Sequence, residues 1–114
     1  MNSKLDLYDL YELLLNYFED KAKTPTINSK TQDIDCILYD SFVFKCGIEK
    51  PRNNFKGGII LGSDYIVTNF FGQKLSLNND VKSIRKNFEI VDNYCRFRLP
   101  DKFLAAYDQA YKKG

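Results

Sequence analysis

The sequence predicts an α+β domain, a single unit over residues 1–114, in which an N-terminal helix and two helices toward the C-terminus cover about five antiparallel strands. Three observations carry this. Apolar residues recur at spacings of three and four over 4–20, 80–92 and 101–112, the pattern of one helical face. The stretch between the first two, 34–77, is rich in β-formers and is cut by turn residues into runs of strand length. A chain of 114 residues with 44% hydrophobic and 15% aromatic content has enough apolar surface for one folded core.

In chain order, Ser3-Lys4-Leu5-Asp6 has the form of a capping box, and Leu7, Leu10, Tyr11, Leu14, Tyr17 and Phe18 follow as an apolar stripe. Residues 19–33 read as a long loop, with Pro25, three threonines and Asn28-Ser29 as breakers. Residues 34–39 and 42–46 read as two strands joined by a turn at Asp40-Ser41. Alternation puts Cys36 and Leu38 on one face, and Phe42, Phe44 and Cys46 together on a face of theirs. A second loop, 47–56, contains Pro51 and Asn53-Asn54. Residues 57–77 read as a three-stranded meander, turning at Gly62-Ser63-Asp64 and at Gly72, around which the rest of the chain is placed. Asn78-Asn79-Asp80 caps a helix over 80–92 with Val81, Ile84, Phe88 and Val91 inward. Cys95, Phe97 and Leu99 alternate with Arg96 and Arg98, which predicts a short extended segment. Pro100 then opens the last helix, with Phe103, Leu104, Tyr107, Ala110 and Tyr111 as its stripe.

The chemistry-bearing residues are sparse. With no histidine, a Ser–His or Cys–His nucleophile is excluded and the commonest metal ligand is missing. No phosphate loop, dinucleotide fingerprint or nucleophile elbow is present, so the expectation is a non-enzyme with no cofactor and no metal. Asp33 and Asp35 form a paired-carboxylate candidate, outweighed by the reading of a solvated strand edge. The three cysteines are odd in number and widely spaced, as expected of buried free thiols. Acids at 6, 9 and 12 stand where an apolar leader would, and no apolar run reaches membrane-spanning length, so a cytoplasmic protein without membrane contact is expected.

Net charge is +2, but residues 1–40 hold eight acids and four bases while the remainder holds seven acids and thirteen bases. The bases Lys82, Arg85 and Lys86 on one helix, with Arg96 and Arg98 after it, are the candidate for phosphate contact. Interspersed acids make a solvated face the stronger reading, so nucleic acid is the alternative partner and not the leading one.

Phe55-Lys56-Gly57-Gly58-Ile59, Phe70-Phe71-Gly72, Leu77-Asn78, Ile90-Val91-Asp92-Asn93-Tyr94-Cys95, Leu99-Pro100-Asp101-Lys102-Phe103-Leu104 and Tyr107-Asp108 together resemble small bacterial immunity proteins encoded with contact-dependent growth inhibition toxins. The likeness covers about residues 55–110 and is one of turns and caps. It implies a cytosolic inhibitor that binds a cognate toxin domain without catalysis. If that toxin is a nuclease, its cleft is basic, and the inhibitor should offer acids and aromatic anchors. The candidates are Glu19, Asp20, Asp33, Asp35, Glu49 and Asp64, with Tyr39 and Tyr65.

Overall fold

The computed structural model describes residues 4–61 and 65–99. Helix α1 spans Leu7–Phe18. Asp6 is its N-cap: its carboxylate accepts from the Asp9 N–H at 2.8 Å, and the Asp9 carboxylate accepts from the Asp6 N–H at 3.1 Å. This reciprocal pair is a capping box, three residues later in the chain than the box expected at Ser3. Leu7, Leu10, Leu14 and Phe18 form the buried stripe.

A 3₁₀ turn, Glu19–Lys21, leads directly into strand β1, Ala22–Asn28. The segment expected to be a loop is therefore mostly an edge strand. Pro25 is compatible with that position because an edge strand has one side on which no donor is needed. Thr24 takes a left-handed φ of 48°, and the pairing with strand β2, Asp33–Leu38, slips between Lys23 and Thr26. The result is a β-bulge. The Asn28 side chain closes the turn by accepting from the Lys30 and Thr31 N–H groups at 3.0 and 3.3 Å.

Strands β3, Phe42–Glu49, β4, Asn54–Leu61, and β5, Tyr65–Val67, complete an antiparallel sheet in the order β1-β2-β3-β4-β5. Residues expected to be loop, 47–49 and 54–56, extend β3 and β4 and pair with one another. The sheet is thus centred on β3. The third strand of the expected meander lies outside it: β6, Asn69–Phe70, and β7, Gln73–Lys74, make a separate two-stranded ribbon. Its turn needs positive φ at Phe71 (56°) and Gly72 (87°).

Helix α2 runs Val81–Arg98, with Asp80 as N-cap accepting from the Ser83 N–H at 2.8 Å. The stretch expected to be extended, 94–99, is the end of this helix up to Arg98. Ile84, Phe88, Val91 and Cys95 continue one buried stripe, and nothing breaks it until Leu99, whose successor Pro100 disfavours helix. The helix expected over 101–112 lies outside the described residues.

Both helices cover one face of the sheet. That face carries Ile34, Cys36, Leu38, Phe44, Cys46, Ile48, Phe55 and Ile59, all buried. Phe88, fully buried, is its focus: its ring lies 5.4 Å from Phe18, 5.7 Å from Tyr17, 6.1 Å from Phe44 and 6.4 Å from Phe55. The buried Asn87 amide accepts from the Ser76 N–H at 2.7 Å and donates to the Ser76 carbonyl at 2.9 Å. It thereby fixes the connection from β7 to α2, as a neighbouring strand would.

Candidate protein-binding surface

No described helix or strand of the main fold covers the opposite face of the sheet. Outward positions follow from alternation along each strand. Register then sets which of them meet: Ile37 lies opposite Val43, Val43 opposite Ile60, and Ile60 opposite Ile66. Four β-branched aliphatic side chains thus stand side by side across β2, β3, β4 and β5. Ile37, Val43 and Ile66 are 36%, 38% and 44% exposed. An antiparallel sheet with one solvated face ordinarily alternates apolar inside with polar outside. Here that alternation fails at one level and holds at the two levels beside it.

The next level reads Asp35, Lys45, Gly58 across β2, β3 and β4, and the level beyond it reads Asp33, Gly47, Lys56. Asp33 is only 6% exposed, and its carboxylate lies 3.0 Å from Lys56 Nζ and 3.8 Å from Lys45 Nζ. A carboxylate so deep needs such partners. The two lysines keep 41% exposed side chains, so these are surface-type pairs worth about 1 kcal/mol or less each. Gly47 is required here: a Cβ would collide with the Gln32 carbonyl and come 2.8 Å from Asp33 Oδ1. Gly58 is required as well, because a Cβ would sit 2.7 Å from Ile66 Cγ1. A groove of about 330 Å³ runs between the Asp33–Lys45–Lys56 cluster and Ile66 with Thr68.

The acids and aromatics expected to form one contact site are spread over the molecule. Asp33 and Asp35 share the open face, Asp35 exposed and Asp33 held by its lysines. Glu19 and Asp20 are exposed in the turn after α1. Glu49 is exposed at the end of β3, opposite Asn54. Asp64 and the Tyr65 side chain lie outside the described residues, although the Tyr65 backbone begins β5.

Tyr39 is fully buried and is not a surface anchor. It and Asp40 take left-handed φ values of 54° and 55° in the β2–β3 turn, which aims the ring inward. Its N–H donates to the Lys21 carbonyl at 3.0 Å, and its hydroxyl donates to Asp92 at 2.5 Å and accepts from Arg96 at 3.2 Å. Burial, then the bond to Asp92, pushes the hydroxyl pKa well above its ordinary value. Arg96 is accordingly a partner of Tyr39, with its guanidinium 5.8 Å from the ring centre. It does not join Lys82, Arg85 and Lys86, which are exposed on α2. Lys86 in turn lies 3.3 Å from Glu89.

Cys36, Cys46 and Cys95 are free and buried. Burial raises all three thiols, Cys36 to about 12, which makes poor nucleophiles of them. Among the described residues no group of three His, Cys, Asp or Glu side chains is placed to hold a metal, and no helix is long and apolar enough to cross a membrane. Comparison with protein-family models, with curated proteins and with solved structures finds no match for this chain.

The aliphatic row had a signal in the sequence. Cys36-Ile37-Leu38, Phe42-Val43-Phe44, Ile59-Ile60-Leu61 and Tyr65-Ile66-Val67 are each apolar without alternation, the mark of a strand apolar on both faces.

Proposed function

We propose that this chain is an immunity protein of a contact-dependent growth inhibition system: it binds a cognate secreted toxin domain in the bacterial cytosol and neutralises it without catalysis of its own. The observation that supports this reading is the row Ile37, Val43, Ile60 and Ile66 on a sheet face that no described element covers. A contiguous apolar patch rimmed by charge is the anatomy of a protein contact. Asp35, Lys45 and Lys56 supply that rim. The resemblance of residues 55–110 to such immunity proteins points the same way.

The test is a titration of the full chain against the toxin domain encoded in the neighbouring reading frame. The expected result is tight binding with loss of toxin activity at equimolar inhibitor. Ile60→Lys should weaken binding at least ~10-fold, which corresponds to about 1.4 kcal/mol. Absence of binding, or full affinity in the Ile60→Lys variant, overturns the reading. Lys82, Arg85 and Lys86, exposed together on α2, favour a second reading as a nucleic-acid binder. That one predicts affinity for an oligonucleotide that falls steeply with salt.

A further inference from the structure

The charges on the open face are sorted by strand. Both outward acids, Asp33 and Asp35, belong to β2, and the outward lysines, Lys23, Lys45 and Lys56, belong to β1, β3 and β4. They are also sorted by level: Asp35 is level with Lys45, while Asp33 is level with Gly47 and Lys56. Asp35 is exposed and forms no ion pair among the described residues. We propose that a second copy of this chain covers the face, as a two-fold dimer packed sheet on sheet through Ile37, Val43 and Ile60 and the Asp35 and Lys45 side chains.

The geometry follows from one symmetry axis, lying in the plane of contact, parallel to the strands and between β2 and β3. Rotation about it keeps each level opposite itself and exchanges β2 with β3. Ile37 then meets Val43 of the second copy, and Asp35 meets its Lys45. Asp33 falls over its Gly47, beside its Lys56. Ile60 meets the stem of Lys23, the residue paired with Ile37 on β1. Each acid meets a lysine or a glycine, and no two like charges come opposite one another. Two-fold contacts of this kind are self-complementary. Aligned sheets pack about 10 Å apart and about 30° askew, offsets that lysine side chains span. Three aliphatic residues per copy make a contact at the small end of specific interfaces, so the dimer is a reversible one, and Ile66 on β5 stays outside it. It uses the surface that the toxin reading uses, so the toxin and the second copy exclude one another.

Sedimentation equilibrium of the full chain from ~1 μM to ~1 mM tests this. The expected result is an average mass rising from one chain toward two. Asp35→Lys should weaken self-association at least ~10-fold by setting lysine against lysine across the axis, and Lys45→Asp should do so by setting acid against acid. An equimolar mixture of these two variants should associate as well as the wild type, because each contact then joins a lysine to an acid. Restoration in the mixture arises only between chains, so it separates a dimer contact from repair within one chain. Val43→Lys, at an exposed position, gives an independent way to break the contact if either charge variant folds poorly. A chain that stays monomeric up to ~1 mM, or a mixture no tighter than its components, overturns the dimer. A monomer that still binds the toxin domain removes the dimer alone, and a dimer that ignores the toxin domain removes the immunity reading alone.

Discussion

The two faces of this sheet are built from the same strands and end differently. The inner face carries the large side chains, Phe44, Phe55, Ile48 and Ile59, under helices that add Phe18 and Phe88. The outer face carries β-branched aliphatic residues without a ring among them, and two glycines whose Cβ positions are already filled by neighbours. Both faces are apolar at one level of the sheet, yet only one has helices over it. Apolar content alone therefore does not say which face becomes core. Here the rings mark it: Phe44 and Phe55 of the sheet meet Phe88 of α2, and Phe44 also meets Phe18 of α1.

That comparison can be broken most forcefully at its centre. Phe88→Ala removes the ring on which Tyr17, Phe18, Phe44 and Phe55 converge. It should cost about 3–5 kcal/mol in urea unfolding. A loss below ~1 kcal/mol would mean that α2 does not pack on the inner face as described.

A middle-sized effect is expected at Tyr39, whose hydroxyl ties the β2–β3 turn to α2 through Asp92 and Arg96. Tyr39→Phe should cost about 1–2 kcal/mol. It also has a pH signature. The folded hydroxyl titrates above its unfolded value of about 10. The stabilisation it brings is therefore whole below pH ~10, and it declines as pH rises further because the unfolded chain then loses a proton that the folded chain keeps. Urea unfolding of both proteins from neutral to strongly alkaline pH should show their difference shrinking above pH ~10. A constant difference would remove the hydroxyl as its source.

The smallest effect belongs to the outer face. Val43→Thr should change the stability of the monomer by no more than ~0.5 kcal/mol, because Val43 is 38% exposed and threonine keeps its shape. Measured at a concentration where the chain is monomeric, a cost approaching that of Phe88→Ala would show that the outer face is buried after all.

Much of this architecture was legible in the sequence. The stripe Leu7, Leu10, Leu14, Phe18 and the cap at Asp80 are local signals, and both helices start close to where they indicate. The failures are places where tertiary context overrode a local one. Thr24-Pro25 breaks a strand, but β1 is an edge, and a bulge absorbs the irregularity. Cys95, Phe97 and Leu99 alternate like a strand, yet Cys95 lies four residues after Val91 on the buried stripe of α2, while Phe97 is 76% exposed. Of the candidate site, the acids were visible by residue type, and among the described ones only Asp33 and Asp35 fall on the open face. The aliphatic row was not visible as a row, because its members come from four strands and only the pairing register aligns them. Tyr39 read as a surface anchor because nothing local announces a buried tyrosine whose partners lie 53 and 57 residues away.

The irregular edge at β1 bears on stoichiometry. A sheet polymerises by adding strands, and unlimited growth needs a receptive rim on both sides. Thr24 turns the backbone out of register and Pro25 offers no N–H, so the β1 rim accepts no regular neighbour. Association through the three-residue rim of β5, should two copies meet there, ends with those two. Growth by strand addition is in this way closed on the β1 side, and a pair packed face to face adds no strand to either sheet.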